Sequence, residues 1–409
     1  MKAHRAVVAA IAAAAAILSF NVAGEGQGRG GAAQPLTIRA ARVLDGRGGA
    51  LVNAVVEIQG GRIAAVDQHP GPVTYDLGDA TLLPGLIDVH VHLNWYFGPD
   101  GKYGGRGVLP SFATDAILDN ARATLMAGFT TVQSLGWSGD KALREAIGSG
   151  AINGPRILSS LGQMQGGNST PEQLRERVRQ AKADGADVIK FFASASIRDG
   201  GKMNVTQAQL DAVCGEAKAV GLRTAIHAHS SESIVAAVKA GCSQIEHGMF
   251  ADDAAIKAMA DARVYFDPNI GLVLQNYLEH REQYSGSGNF NDEGFAVMTS
   301  VLPNGAAVFK KALAAGIRMP LGTDAVAGAH GQNAREIVAR VVDGGQRPLD
   351  AIVSATSLAA ASLNLADAIG TIKVGYEADL IAVLGDPVAD ISTLRNVMFV
   401  MRGGRVMKR

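Results

Sequence analysis

The sequence predicts an α/β fold: a (β/α)8 TIM barrel with a small β-sandwich domain formed by its N- and C-terminal segments. Three observations predict it. Short apolar runs alternate with helix-length amphipathic segments through the middle of the chain, and eight such runs can be counted. Short alternating strands with Gly-rich turns flank that middle on both sides. The middle itself, residues 81–365, is close to the roughly 250 residues usual for such a barrel. An open doubly wound sheet fits less well, because no Gly-x-Gly-x-x-Gly phosphate loop follows the first strand.

The elements follow in order. Lys2 and Arg5 precede an Ala-rich apolar run, Ala6 to Phe20. It is too short to span a bilayer but suits the apolar region of a signal peptide, so residues 1–23 read as a leader ending near Ala23. An uncleaved N-terminal anchor is the other reading. Residues 24–34 read as a Gly-rich flexible linker. Residues 35–80 hold the first group of alternating strands, such as Leu36-Thr37-Ile38 and Val55-Val56-Glu57-Ile58, with a turn at Gly60-Gly61. Residues 366–409 hold the second, including Asp379–Leu384 and Val397–Met401.

The barrel runs are Leu82–Leu93, Phe129–Leu135, Arg156–Ser160, Asp187–Phe192, Arg223–His229, Gln244–His247, Val264–Pro268 and Arg318–Thr323. Helical spacing separates most of them, for example Thr206–Val220 with Thr206 as N-cap, and Ser231–Ala240 ending at Gly241. Asn269–Asn304 is expected to be a long loop with Ser285-Gly286-Ser287-Gly288-Asn289 at its heart, either a lid or an insertion without a role. The two cysteines, Cys214 and Cys242, are expected to be buried thiols, since nothing in their spacing demands a bond.

Composition bounds the function. The 38 basic and 38 acidic residues cancel, which gives no footprint for nucleic acid or an acidic partner. With the leader removed, no stable membrane insertion is expected, and export places the protein in the periplasm or outside the cell.

The chemistry-bearing residues fall at the ends of the runs, where barrel enzymes carry their sites. His90 and His92 lie two apart on a strand and so share one face. Neutral imidazole is the commonest metal ligand. Lys190 stands in the middle of an apolar strand, where a bare cation is costly to bury. His227 and His229 again share a face, and His247 and Asp324 end the sixth and eighth strands.

This constellation resembles the metal-dependent amidohydrolase superfamily, in its imidazolonepropionase-like and prolidase-like branch. That branch includes zinc carboxypeptidases, dipeptidases and ochratoxin-hydrolysing amidases. The similarity covers nearly everything after the leader, including the tail motif Gly370-Thr371-Ile372-Lys373-Val374-Gly375-Tyr376-Glu377-Ala378-Asp379-Leu380. It implies two divalent metal ions, zinc for this ligand set. His90, His92 and Asp324 would hold the buried ion, and His227 and His247 the outer one. Lys190, converted to a carbamate by carbon dioxide, would bridge them. The resemblance further implies attack on an amide carbon by a shared hydroxide, with Asp324 carrying its proton to the leaving nitrogen.

His229 is implied to touch substrate rather than metal, polarising the scissile carbonyl or holding a carboxylate. His330 is either a substrate contact or a support for the ligands, or has no role in the site. Arg198 either binds a carboxylate or is a solvated loop charge. Tyr96, in Asn94-Trp95-Tyr96-Phe97, either packs an apolar substrate part or lines the rim. Two departures bear on substrate: the branch's Gly-Gly-His element after strand three is absent from Gly162–Asn168, and the loop after strand four, Ala193–Gly201, departs from the branch's small-residue pattern.

The expected activity is hydrolysis of the C–N bond of a small peptide-like or N-acyl amino acid amide. Two alternatives remain open: a cyclic-amide hydrolase or one-metal deaminase, and a non-catalytic binding protein on the same fold. Deaminases of this superfamily carry an acid of the His-x-x-Glu type after strand five, where this chain has His227-Ala228-His229-Ser230. The resemblance also points to self-association into a homo-oligomer.

Overall fold

Gly85 divides the apolar run Leu82–Leu93 between two sheets. A Cβ there would lie 2.1 Å from the Thr130 hydroxyl, so the chain can turn only with glycine. The computed structural model describes residues 35–68, 71–104 and 109–409. The expected leader and linker, residues 1–34, lie outside the described residues. No helix among those described is long and apolar enough to cross a membrane.

The strands are β1 (Leu36–Leu44), β2 (Ala50–Gln59), β3 (Arg62–Asp67), β4 (Tyr75–Asp76), β5 (Ala80–Pro84), β6 (Leu86–Val91), β7 (Phe129–Ser134), β8 (Arg156–Ser159), β9 (Gln163–Gln165), β10 (Val188–Phe192), β11 (Arg223–Ser230), β12 (Gln244–Phe250), β13 (Tyr265–Asp267), β14 (Leu380–Leu384), β15 (Val397–Arg402) and β16 (Arg405–Lys408). The helices are α1 (Pro110–Met126), α2 (Asp140–Gly148), α3 (Pro171–Asp184), α4 (Gln207–Ala219), α5 (Ser231–Lys239), α6 (Asp253–Ala262), α7 (Val273–Glu279), α8 (Arg281–Tyr284), α9 (Asp292–Ala314), α10 (Ala334–Val342), α11 (Pro348–Ser354) and α12 (Ser357–Ser362).

The two terminal segments do join, in one mixed eight-stranded sheet of order β16-β15-β14-β5-β1-β2-β3 with β4 on β1. The sheet curls, since the β2–β3 turn at Gly61 meets the β15–β16 turn at Gly403-Gly404 from the far end of that order. Strand alternation gives it two apolar faces. Leu82, Leu380, Phe399 and Met401 point into the sheet's own apolar cluster. Their neighbours Leu83, Ile381 and Val400 point into the core of the helix-bearing middle.

The middle is α/β, with every strand pair parallel: β6-β7-β8 and β9-β10-β11-β12-β13. Backbone hydrogen bonds cross both gaps between these sheets. At one, the Asp187 amide donates to Ser159 O at 2.8 Å. At the other, Arg318–Ala325 bridges to Tyr265 on one side and Val91 on the other. The expected third strand is β8, and Leu161, in the left-handed region at φ 51°, separates it from the short β9 beyond. The expected eighth strand differs from prediction. Arg318–Thr323 makes only isolated bridges, since Pro320 has no amide to donate and the Met319 and Pro320 carbonyls accept from Arg340.

Helix starts are legible locally. Thr206 caps α4 and closes a capping box with Gln209. The segment expected as a loop, Asn269–Asn304, instead forms α7, α8 and the first half of α9. Asn291 caps α9, and its apolar face buries Phe295, Met298 and Val301. Pro303 is carried inside that helix. The expectation of free thiols is also corrected: Cys214 within α4 and Cys242 before β12 are disulfide-bonded, with Cα atoms 5.0 Å apart. The spacing could not disclose this, because packing of α4 beside the α5–β12 turn creates the proximity.

Candidate metal centre

Strand alternation aims the side chains. On β6, Ile87 and Val89 pack outward against α12, so Asp88, His90 and His92 face inward. On β10, Ile189 and Phe191 pack outward, leaving Lys190 inward. On β11, Ile226 and Ala228 do the same for His227 and His229. On β12 the alternation breaks. His247 has φ 71°, which lets the consecutive residues Glu246 and His247 both face His90. Asn269 and Asp324 also adopt the left-handed region, each at φ 51°. Non-glycine residues in that region commonly gather at functional sites.

One cavity, of about 250 Å³ available to the centre of a water-sized sphere, is lined by His90, His92, Lys190, Arg198, His227, His229, His247 and Asp324. The structure thus brings together eight of the ten residues singled out from sequence. Tyr96 and His330 are not among its lining residues. Tyr96 packs against Phe112 and the main core. Its place on the wall is taken by Trp95, and apolar lining comes from Phe192, Met249, Leu274 and Tyr277. Arg198 sits on the wall with its Nε donating to Asn289 Oδ1 at 2.7 Å and its guanidinium 4.0 Å from the Phe290 ring centre.

At the cavity floor, Asp324 Oδ1 lies 3.0 Å from His92 Nε2 and 3.3 Å from His90 Nε2. Lys190 Nζ is 3.3 Å from the same His90 nitrogen. The His227 and His247 rings are 4.6 Å apart, and His247 lies 5.3 Å from His90. Burial, with Lys190 beside it, pushes His90 down to about 4. Burial pushes His229 down to about 3 and holds His227 and His247 well below the usual imidazole range. The rings are therefore neutral at pH 7, as metal ligands must be. Burial also lowers Lys190, against the pull of Glu246, Asp324 and Asp267. Burial opposes charge on Asp324, yet His90, His92 and Lys190 hold its carboxyl below the ordinary value.

The donor set fits a divalent cation. Ligand-type atoms of His90, His92 and Asp324 all lie within 4.8 Å of one another. Nitrogen and carboxylate donors of this kind suit zinc. His92 Nδ1 and His229 Nδ1 are buried without a hydrogen-bond partner among the described residues.

Sequence reasoning missed the acids beneath. Glu246 and Asp267 reach His90 Nδ1 from below, at 2.9 and 3.5 Å. Asp88 ties β6 to the Thr323 hydroxyl at 2.6 Å and to Asn333 at 2.7 Å. Burial raises Asp88 and Asp267 to about 7 each. The available signal was an acid inside an otherwise apolar strand.

Residues 81–407 match the amidohydrolase family, and the chain belongs to it. It is a hydrolase acting on carbon–nitrogen bonds. Ochratoxinase of Aspergillus niger is 28% identical over 375 residues, covering 80% of this chain and 75% of that protein. Imidazolonepropionase of Streptococcus sanguinis is 24% identical over 344 residues, covering 73% and 74%. Among solved structures, a Xaa-Pro dipeptidase with bound methionine in its active site superposes with a TM-score of 0.82 at 30% identity, over 92% of this chain and all of that one. The crystal structure of A. niger ochratoxinase gives a TM-score of 0.76 at 26% identity, over 92% and 96%.

Proposed function

We propose that this protein hydrolyses the amide bond of a peptide-like or N-acyl amino acid substrate at a centre of two divalent metal ions. The observation that carries the reading is the place of Lys190: buried and 3.3 Å from His90 Nε2, on a cavity shared with the His90–His92–Asp324 group and the His227–His247 pair. The structures of a Xaa-Pro dipeptidase and of ochratoxinase support the substrate class. We also propose that the two parallel sheets and Arg318–Ala325 form one closed (β/α)8 barrel, residues 81–365, carried on the terminal segments 35–80 and 366–409. The bonds that cross both gaps support this.

In this reading His90, His92 and Asp324 hold one ion and His227 and His247 the other. Bound zinc would supply a nucleophile at neutral pH and Lewis acidity toward the carbonyl. Lys190 would contribute as a carbamate. Its lowered basicity favours the free amine, which adds to carbon dioxide with loss of a proton and leaves an anionic, ligand-like group. Asp324 would accept the nucleophile's proton and deliver it to the departing nitrogen. His229, on the cavity wall, would donate to the developing oxyanion. Trp95, Phe192, Met249 and Leu274 would exclude water from the apolar part of the substrate. Residence outside the cytoplasm, in the periplasm or medium, is part of the proposal, and the Cys214–Cys242 bond supports it.

The test is metal counting and a substrate screen on protein loaded with zinc and labelled bicarbonate. Two ions per chain, a labelled carbamate signal, and turnover of N-acyl amino acids or dipeptides are expected. Lys190→Ala should lose the signal, the second ion and turnover together. One ion per chain with activity confined to lactams would favour the cyclic-amide alternative. Unchanged metal content in Lys190→Ala would refute the bridging role.

A further inference from the structure

We infer that Glu246 is a positioning residue that fixes the tautomer of His90 and so sets metal affinity at the floor of the cavity. The inference rests on the reading above that His90 binds metal through Nε2. His90 has one Nδ1 position and two carboxylates compete for it. Glu246 Oε2 lies at 2.9 Å and Asp267 Oδ2 at 3.5 Å.

The competition is decided by what else each acid holds. Asp267 Oδ1 already accepts from the Gly322 amide at 3.0 Å and from Arg340 at 3.2 Å, and its Oδ2 accepts from Asn269 at 2.8 Å. Glu246 Oε1 accepts from Gln244 Nε2 at 2.9 Å, and beyond His90 its carboxyl meets only that of Asp267 among the described residues. An oxygen buried in a fully covered carboxyl needs a donor. The His90 proton therefore sits on Nδ1 and points at Glu246. Nε2 is left bare, facing Asp324 and Lys190 at 3.3 Å each. The backbone completes the hold. The His90 amide donates to Asp88 at 3.1 Å, and the His90 carbonyl accepts from the Asp324 amide at 2.8 Å.

Glu246→Gln tests the arrangement with little change of shape. Gln244 keeps the remaining oxygen engaged, so the new amide turns an N–H toward Nδ1. The proton then moves to Nε2, where it blocks a metal. Carboxylate supports of ligating histidines are worth about 10–100-fold in metal affinity. Competition with a chromophoric chelator should show zinc binding weakened by that factor. The metal-free variant should melt close to the wild type. Nitrogen NMR of the metal-free wild type should show His90 as the Nδ1–H tautomer. Unchanged zinc affinity in a folded Glu246→Gln protein would overturn the inference. So would an Nε2–H tautomer in the wild type, a result that needs no variant to fold. If the wild type binds no zinc at all, the functional reading fails, and the tautomer still decides the role of Glu246.

Discussion

The disulfide offers the most direct quantitative check. Cys214 and Cys242 are separated by 28 residues. In the chain-entropy account, closing a loop of that length removes about 12 cal/mol/K from the unfolded ensemble, or about 3.6 kcal/mol at room temperature. Unfolding entropy of roughly 2.1 cal/mol/K per residue gives about 0.9 kcal/mol/K for a chain of 409 residues. Breaking the bond should therefore lower the melting temperature by about 4 °C. The assay is scanning calorimetry on oxidised protein and on protein reduced and refolded in reductant, with Cys214→Ala/Cys242→Ala as the permanent equivalent. Thiol alkylation of the denatured, unreduced chain should label neither cysteine. Labelling of both, or superposed melting curves for oxidised and reduced protein, would refute the bond and restore the two thiols expected from sequence.

Three further outcomes follow from the supports of the site. Arg340 is fully buried between Asp267 and Glu336, 3.2 Å from each. Arg340→Met strands two acids and should cost about 3–5 kcal/mol, read from denaturant midpoints; a cost below 1 kcal/mol would show the pair to be dispensable. Gly322→Ala would place a Cβ 2.0 Å from Asp267 Oδ2, so stability should fall by about 1–3 kcal/mol; equal stability would mean that Asp267 is not held where it is described. Burial pushes His330 from 6.5 down to about 3. Its contribution is therefore present above pH 6.5 and lost as pH falls toward 3. Between pH 6.5 and about pH 4.5 the wild type should lose about 2 kcal/mol that His330→Asn does not; parallel pH curves would contradict it.

Much of the site could be read from periodicity. His90 and His92, or His227 and His229, share a face because strand side chains alternate. Lys190 was conspicuous because a cation in Val188–Phe192 has no apolar excuse. What escaped depends on breaks in that regularity. Glu246 precedes His247, so strict alternation would turn it away from the cavity; the left-handed backbone at His247 turns it back. Trp95 and Tyr96 differ by one position beyond the end of β6, where no strand rule chooses between them. The helices α7 to α9 were hidden by Ser285–Asn289 and Pro303, both ordinary helix-breaking signals, although Asn291 and the spacing of Phe295, Met298 and Val301 were there to be read. Arg198 was ambiguous because its partner Asn289 is remote in sequence.

The terminal sheet has a bearing on when this molecule can mature. β14 is hydrogen-bonded between β5 and β15. A chain emerging from its N-terminus thus makes β1, β2 and β5 early but cannot cover the edge of β5 until only its last segment, from Leu380 onward, is being made. Until then β5 offers bare amides and carbonyls and the apolar side chains Leu82 and Leu83 to any passing strand. β5 leads through Gly85 directly into the strand of His90 and His92. Assembly of the cavity floor is in this way coupled to arrival of the C-terminus, and shortening the chain behind Asp379 should yield a species that aggregates instead of one that merely lacks a tail.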